Sequence, residues 1–214
     1  MKKNIDWPTE RHRAFGEHIL KVCRANEIGL LLKGSIANGT ARPYSDIDIS
    51  IYGNVTKDIL EKILYGFENP LMINASEKPP GLLIVAYRKG LALDLGIQGG
   101  ESTDENDKSF FLVRPSSPGH RMPDSTEEYV KALGRNDHYS KTCKLIHKGL
   151  LKYLNGKRAA AGEFLKEIIE FTSIQINDQE NIIEAFQTSV RTLIRQDDVL
   201  GQEFRWLMEE TVRK

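Results

Sequence analysis

Cysteine is scarce in this chain: Cys23 and Cys143 are the only two among 214 residues. Two isolated thiols, each within a predicted helix, exclude the cysteine-dense framework of a small secreted domain. Both read as reduced, buried core residues of a cytoplasmic protein. Long apolar runs are also missing. No stretch approaches the roughly 20 residues that span a bilayer, and the two lysines near Met1 have no apolar segment behind them, so neither a membrane span nor a secretory signal is expected. An excess of charge of one sign is absent as well, with Lys+Arg and Asp+Glu at 30 each. A balanced total supplies no global field to draw in nucleic acid or a membrane, so any phosphate binding must come from local placement of charge. Internal repeats and low-complexity tracts do not occur.

What is present is the composition of an ordinary globular protein, 40% apolar and 28% charged, long enough for one large domain or two small ones. Thr9 is placed to cap a helix running to about Asn26, with Phe15, Ile19, Leu20 and Cys23 at helical spacing. Residues 28–33 read as a buried strand, 34–45 as a Gly/Ser/Asn/Pro-rich turn, and 46–52 as a second, alternating strand. Residues 55–67 read as a helix burying Ile59, Leu60, Ile63 and Leu64. A short edge strand is expected at 71–74 and a turn at Pro79-Pro80-Gly81, then a hairpin of 82–87 and 91–97 joined at Arg88-Lys89-Gly90. Pro115, Pro118 and Pro123 mark a boundary or a substrate-facing loop. Beyond them helices are expected near 126–133, 138–154, 160–172, 179–195 and 199–212. The expected fold is α+β: a mixed sheet with flanking helices over 1–113, then an all-helical carboxy-terminal domain over 114–214.

The chemistry concentrates between Lys33 and Ser50. Glycine at position 34 lets backbone amides approach a ligand with no Cβ in the way, and Ser35 adds a hydroxyl. A turn or helix starting there presents free N–H groups to phosphate oxygens. Asp46 and Asp48 follow in the pattern Asp46-Ile47-Asp48-Ile49-Ser50-Ile51. Side chains alternate along a strand, so Ile47, Ile49 and Ile51 face the core while Asp46, Asp48 and Ser50 share the other face. Two carboxylates on one face lie about 6–7 Å apart at their Cα atoms. They repel unless a cation sits between them, and magnesium, held by one or two carboxylates plus substrate phosphates, suits that place. The plain alternative is a solvated strand edge, but aspartate is disfavoured in strands and two at alternate positions need a reason.

A third acid repeats the pattern. Asp94 shares its face with Ala92 and Gly96, the two smallest side chains, which leaves room beside it. If its strand neighbours the 46–52 strand, three carboxylates converge, as a two-metal phosphoryl-transfer site requires. Asp94 could instead take a proton from an acceptor hydroxyl.

The Gly34-Ser35 pair, the step of twelve to Asp46, and Asp46-Ile47-Asp48 together resemble the signature of the polymerase-β nucleotidyltransferase superfamily. The run Pro43-Tyr44-Ser45-Asp46-Ile47-Asp48 is especially similar to bacterial aminoglycoside nucleotidyltransferases and their small relatives. The resemblance covers about residues 28–97. It implies that Gly34 and Ser35 hold the triphosphate, that Asp46 and Asp48 bind Mg2+, and that Asp94 completes the metal site or acts as base. The implied reaction moves a nucleoside monophosphate from an NTP, with ATP expected, to a hydroxyl acceptor: a small molecule such as an antibiotic, a protein, or a tRNA end. An alternative within the same fold is a toxin–antitoxin or regulatory member that works by binding a partner; retention of all three acids argues against it. A nucleic-acid polymerase is disfavoured by the short, neutral chain.

Further candidates are weaker. Arg42 and Ser45 sit in the motif turn as nucleotide contacts, and Tyr44 could line a base pocket or simply be half-buried. The 131–158 stretch has eight basic residues against Asp137 alone, while from 163 onward acids outnumber bases 11 to 6. On a helix Lys141, Lys144, Lys148 and Lys152 form one stripe opposite Cys143, Ile146, Leu150 and Leu154. That stripe is either a solvated face or a basic wall for the triphosphate, with Lys141 and Lys144 the nearest contacts. His138 and His147 read as ordinary helix residues. Glu101, Asp104, Glu105 and Asp107 read as a solvated face, or as a site for a cationic acceptor.

Overall fold

The computed structural model describes residues 5–76, 81–98, 109–115, 123–177 and 180–213. The chain divides into two compact units. One comprises Met1–Tyr87 with Leu91–Gly134, the other Arg88–Gly90 with Arg135–Lys214. The acidic run from Glu101 to Asp107, Pro79, Pro80 and Pro118 lie outside the described residues.

The first unit is built on a six-stranded mixed sheet. Its strands are β1 (Gly29–Lys33), β2 (Ile47–Tyr52), β3 (Met72–Ala75), β4 (Leu82–Ala86), β5 (Ala92–Gln98) and β6 (Phe110–Val113), in the spatial order β3-β4-β5-β2-β1-β6. Only β2 and β5 are parallel; the remaining neighbours are antiparallel. The expected edge strand and hairpin are therefore present as β3, β4 and β5. Strand β6 was not expected: its four residues, Phe-Phe-Leu-Val, are all half-buried and carry no alternation to announce it.

Helices α1 (Glu10–Ala25) and α3 (Lys57–Tyr65) cover one face of the sheet, and α2 (Gly34–Ala37) is a single turn between β1 and β2. The Thr9 hydroxyl caps α1 by accepting from the His12 N–H, and Thr56 caps α3 in the same way through Ile59. The core lies between these helices and the sheet. It takes Phe15, Ile19 and Cys23 from α1, Ile59, Leu60, Ile63 and Leu64 from α3, and Ile47, Ile49, Ile51, Leu93 and Leu95 from the central strands. Burying each such side chain contributes about 1.5–3 kcal/mol before chain entropy is counted. The isoleucines and leucines of β2 and β5 are thus committed to one face, and the aspartates between them must emerge on the other. Helix α4 (Asp124–Leu133) packs on β3 and α3, so this unit runs past the proline cluster to Gly134.

The second unit gathers α5 (His138–Leu154), α6 (Arg158–Thr172), α7 (Ile182–Leu193) and α8 (Val199–Val212), with α5 packed against the other three. Its short segment Arg88–Gly90 donates the N–H groups of Lys89 and Gly90 to the Glu203 carboxylate, at 2.9 and 2.8 Å. Burial wraps most of α5: Cys143, Ile146 and Leu150 are inaccessible, and Leu145, His147 and Leu151 are buried too. The row of Lys141, Lys144, Lys148 and Lys152 stays half-exposed, with Tyr139 and Tyr153 half-exposed near the helix ends and His138 exposed at its start.

Candidate active site

The face of the sheet opposite the core carries one continuous row of polar side chains. In the parallel ladder Asp48 of β2 pairs with Asp94 of β5, and in the antiparallel ladder Asp48 pairs with Lys33 of β1. Residues paired in register point to the same face. Asp94, Asp48 and Lys33 therefore stand abreast on three adjoining strands, each about 4.8 Å from the next, and all three are half-buried. Among the described residues Lys33 makes no ion pair within 4 Å.

Gly34 follows Lys33 and opens α2 with φ +66°. A Cβ built there would fall 2.8 Å from Cγ of Asp48 and closer still to Oδ2. Glycine is required twice over at this position, for the left-handed backbone and for the approach of the Asp48 carboxylate. Ser35 lies half-buried in the same turn. The motif glycine and the second motif aspartate are thus one packed contact, although 14 positions separate them in the chain.

Asp46 is held differently. It is buried but precedes β2, so no ladder fixes it. The turn before it closes on itself: the Ser45 N–H donates to the Arg42 carbonyl and the Arg42 N–H donates to Ser45 Oγ, both at 2.9 Å. The Ser45 hydroxyl oxygen is engaged in the turn. The Arg42 side chain is exposed, while Tyr44 is buried. The Ser45 carbonyl lies 2.9 Å from Nε2 of His12, which is buried in the first turn of α1. Burial, with the nearby Arg11 charge, holds the His12 imidazole below its ordinary pKa, so the ring is neutral.

Among the described residues no three His, Cys, Asp or Glu side chains are already grouped as ligands of one ion. The arrangement seen is a pair, Asp48 beside Asp94, with Asp46 one step before the ladder. The room expected beside Asp94 at Gly96 is taken: a Cβ at Gly96 would lie 2.8 Å from Ser50 Oγ, so the missing side chain accommodates that buried hydroxyl rather than a ligand. Lys141 and Lys144 stand on α5 in the second unit. His138 stacks on Phe171 at 4.5 Å and His147 is buried edge-on to Phe204, both as packed helix residues. Sequence reasoning passed over Lys33 and His12. Lys33 is revealed by strand register, and His12 by a contact across 33 residues.

Residues 17–81 match the family model of the nucleotidyltransferase domain. The matched segment contains Gly34, Ser35, Asp46 and Asp48 and ends before Asp94. The mixed sheet and flanking helices of the first unit, which contain the matched residues, agree with that match. No curated protein matches the chain. Among solved structures, a CCA-adding enzyme with CTP is 12% identical at TM-score 0.35, over 86% of this chain and 51% of the other. The Thermotoga maritima CCA-adding enzyme with tRNA is 10% identical at TM-score 0.34, over 98% and 52%. Cid1 with a UTP analogue is 13% identical at TM-score 0.32, over 95% and 64%. The chain therefore spans about half the length of the CCA-adding enzymes it resembles. Among the described residues no helix is long and apolar enough to cross a membrane.

Proposed function

We propose that the chain is a magnesium-dependent nucleotidyltransferase, which moves a nucleoside monophosphate from a nucleoside triphosphate to a hydroxyl acceptor and releases pyrophosphate. The observation behind this reading is the packing of Asp48 against both Gly34 and Asp94, two parts of one motif and a third acid from outside it. The donors there are hard carboxylate oxygens, which suit magnesium. Asp46, Asp48 and Asp94 would hold the ion that accompanies the triphosphate, and it supplies neutralisation of charge on the phosphate oxygens.

The remaining work falls to the chain's own groups. Gly34 and Ser35 offer backbone N–H groups and a hydroxyl to the phosphates, and Arg42 and Lys33 add positive charge from the turn and the strand end. The acceptor oxygen bonds to the α-phosphorus as the bond from that phosphorus to the bridging oxygen breaks, and the electron pair leaves with pyrophosphate. Asp94 either joins the ligand set or draws off the acceptor's proton. Catalysis is then chiefly positioning and charge neutralisation. Lys141 and Lys144 offer a basic row suited to an anionic group. The neutral overall charge favours a small or single-site acceptor over a long nucleic acid.

The test is pyrophosphate release from ATP and the other triphosphates with a panel of acceptors: hydroxylated antibiotics, a protein substrate set and tRNA. Wild type should turn over with at least one, and Asp48→Asn should not. Absence of release from wild type across the panel, or equal release from the variant, rejects the reading.

A further inference from the structure

We propose that His12 is a positioning residue for Asp46, acting through the Ser45–Asp46 peptide; the inference rests on the reading of Asp46 as a metal-site acid. Asp48 and Asp94 need no such help. Ladders on both sides of each hold them, through Lys33, Asp94 and Ile84. Asp46 has no ladder, because β2 begins at Ile47 and its pairing to β5 begins at Leu93. The backbone just before the ladder, at Ser45, therefore bears on the direction in which its carboxylate leaves the chain.

His12 anchors that backbone. A carbonyl oxygen only accepts, so the 2.9 Å contact to Ser45 requires the proton on Nε2. Nδ1 is then the acceptor, and the Thr9 hydroxyl, 2.7 Å away, donates to it. The same hydroxyl oxygen accepts from the His12 N–H at 3.3 Å. Both ring nitrogens are satisfied, and the tautomer is set by the cap of α1. The ring is buried, so the contact is sheltered from water. The Ser45 carbonyl and the Asp46 N–H belong to one planar peptide unit. Holding the oxygen holds the plane and with it the Asp46 N–Cα bond; with Ile47 fixed at the start of β2, the two ends together restrict where the Asp46 Cα–Cβ bond points. The closed Arg42–Ser45 turn secures the other end of Ser45. The first turn of α1 thus steers the first acid of the motif, a coupling absent from the motif itself.

The test compares His12→Leu, which removes the donor, with His12→Gln, whose amide N–H can reach the same carbonyl. The probe is Mn2+ titrated in the presence of α,β-methylene-ATP, read by electron paramagnetic resonance, alongside the Mg2+ dependence of turnover. His12→Leu should weaken Mn2+ binding and raise the half-activating Mg2+ by about tenfold, with a smaller change in KM for the nucleotide. His12→Gln should return both to within about threefold of wild type. A folded His12→Leu protein that binds Mn2+ like wild type overturns the inference, as does a folded His12→Gln protein as impaired as His12→Leu. If His12→Leu does not fold, His12→Asn, too short to reach Ser45, takes its place with the same outcomes. Failure of wild type itself to bind Mn2+ with the analogue would reject the proposed function instead, which separates the two.

Discussion

Asp48 and Asp94 are direct partners in the parallel ladder between β2 and β5, two acids side by side on one face of the sheet. Two like charges at that spacing repel, and the repulsion is a standing cost to the fold without a cation. Asp48→Asn should therefore have two opposite effects. Turnover should fall at least about 100-fold, because a preorganised charge at the reacting phosphate is lost. The melting temperature without divalent ions should hold or rise, because the repulsion is relieved. Mg2+ should stabilise wild type by mass action and leave the variant nearly unmoved. Calorimetry with and without Mg2+ checks this; a variant destabilised in both conditions would mean that the pair is structural.

Gly34 and Gly39 form a natural control pair. Both have positive φ, +66° and +72°, but a Cβ at Gly34 meets the Asp48 carboxylate whereas one at Gly39 meets nothing within 4 Å. Gly39→Ala should cost only the left-handed backbone, about 1–2 kcal/mol, and leave activity near wild type. Gly34→Ala should carry the same backbone cost and also push Asp48 aside, so its activity should fall far more than its stability. Equal activity in the two variants at matched folding would remove the Gly34–Asp48 contact from the mechanism.

Burial pushes the thiols of Cys23 and Cys143 up to about 12. At pH 8 almost no thiolate exists in the folded protein, so iodoacetamide labelling of either should wait for unfolding and follow the urea transition. The folded values lie above the ordinary value of 9.0. The thiols' contribution to stability is therefore complete below pH 9 and is lost as the pH climbs toward about 12. Rapid labelling of one cysteine in native buffer would show that its helix opens locally.

What could be read from the residues alone was what depends on short-range pattern. The alternation of isoleucine with Asp46, Asp48 and Ser50 set the face of β2, and Leu91, Leu93, Leu95 and Ile97 did the same for β5. Thr9 announced the start of α1. Strand order could not be read: β2 and β5 are neighbours although α3, β3 and β4 lie between them in the chain, and no local pattern encodes that pairing. The same limit hid Lys33, whose meaning depends on sitting opposite Asp48, and His12, which meets Ser45 across the interior. Gly96 was misjudged for a related reason, since an empty position on one strand is filled by Ser50 from the next. Strand β6 lacked both alternation and length.

Lys33 gives the sharpest remaining test of the row. It stands opposite Asp48, next to the Gly34 turn, and among the described residues it is tied up in no ion pair. A half-buried ammonium beside a phosphate site should act on substrate binding, whereas opposite an aspartate it also lends the sheet a cross-strand attraction of about 0.2–1 kcal/mol. Lys33→Met keeps the aliphatic stem and removes the charge, so stability should change by no more than that amount. If the ammonium meets the triphosphate, KM for the nucleotide should rise about tenfold, the scale of one charge-assisted hydrogen bond, and the rise should shrink in high salt as wild type itself weakens. A drop in kcat at unchanged KM would instead place the charge on the departing pyrophosphate, where it forms its interaction only in the transition state. Unchanged kinetics with a lower melting temperature would assign Lys33 to the sheet alone.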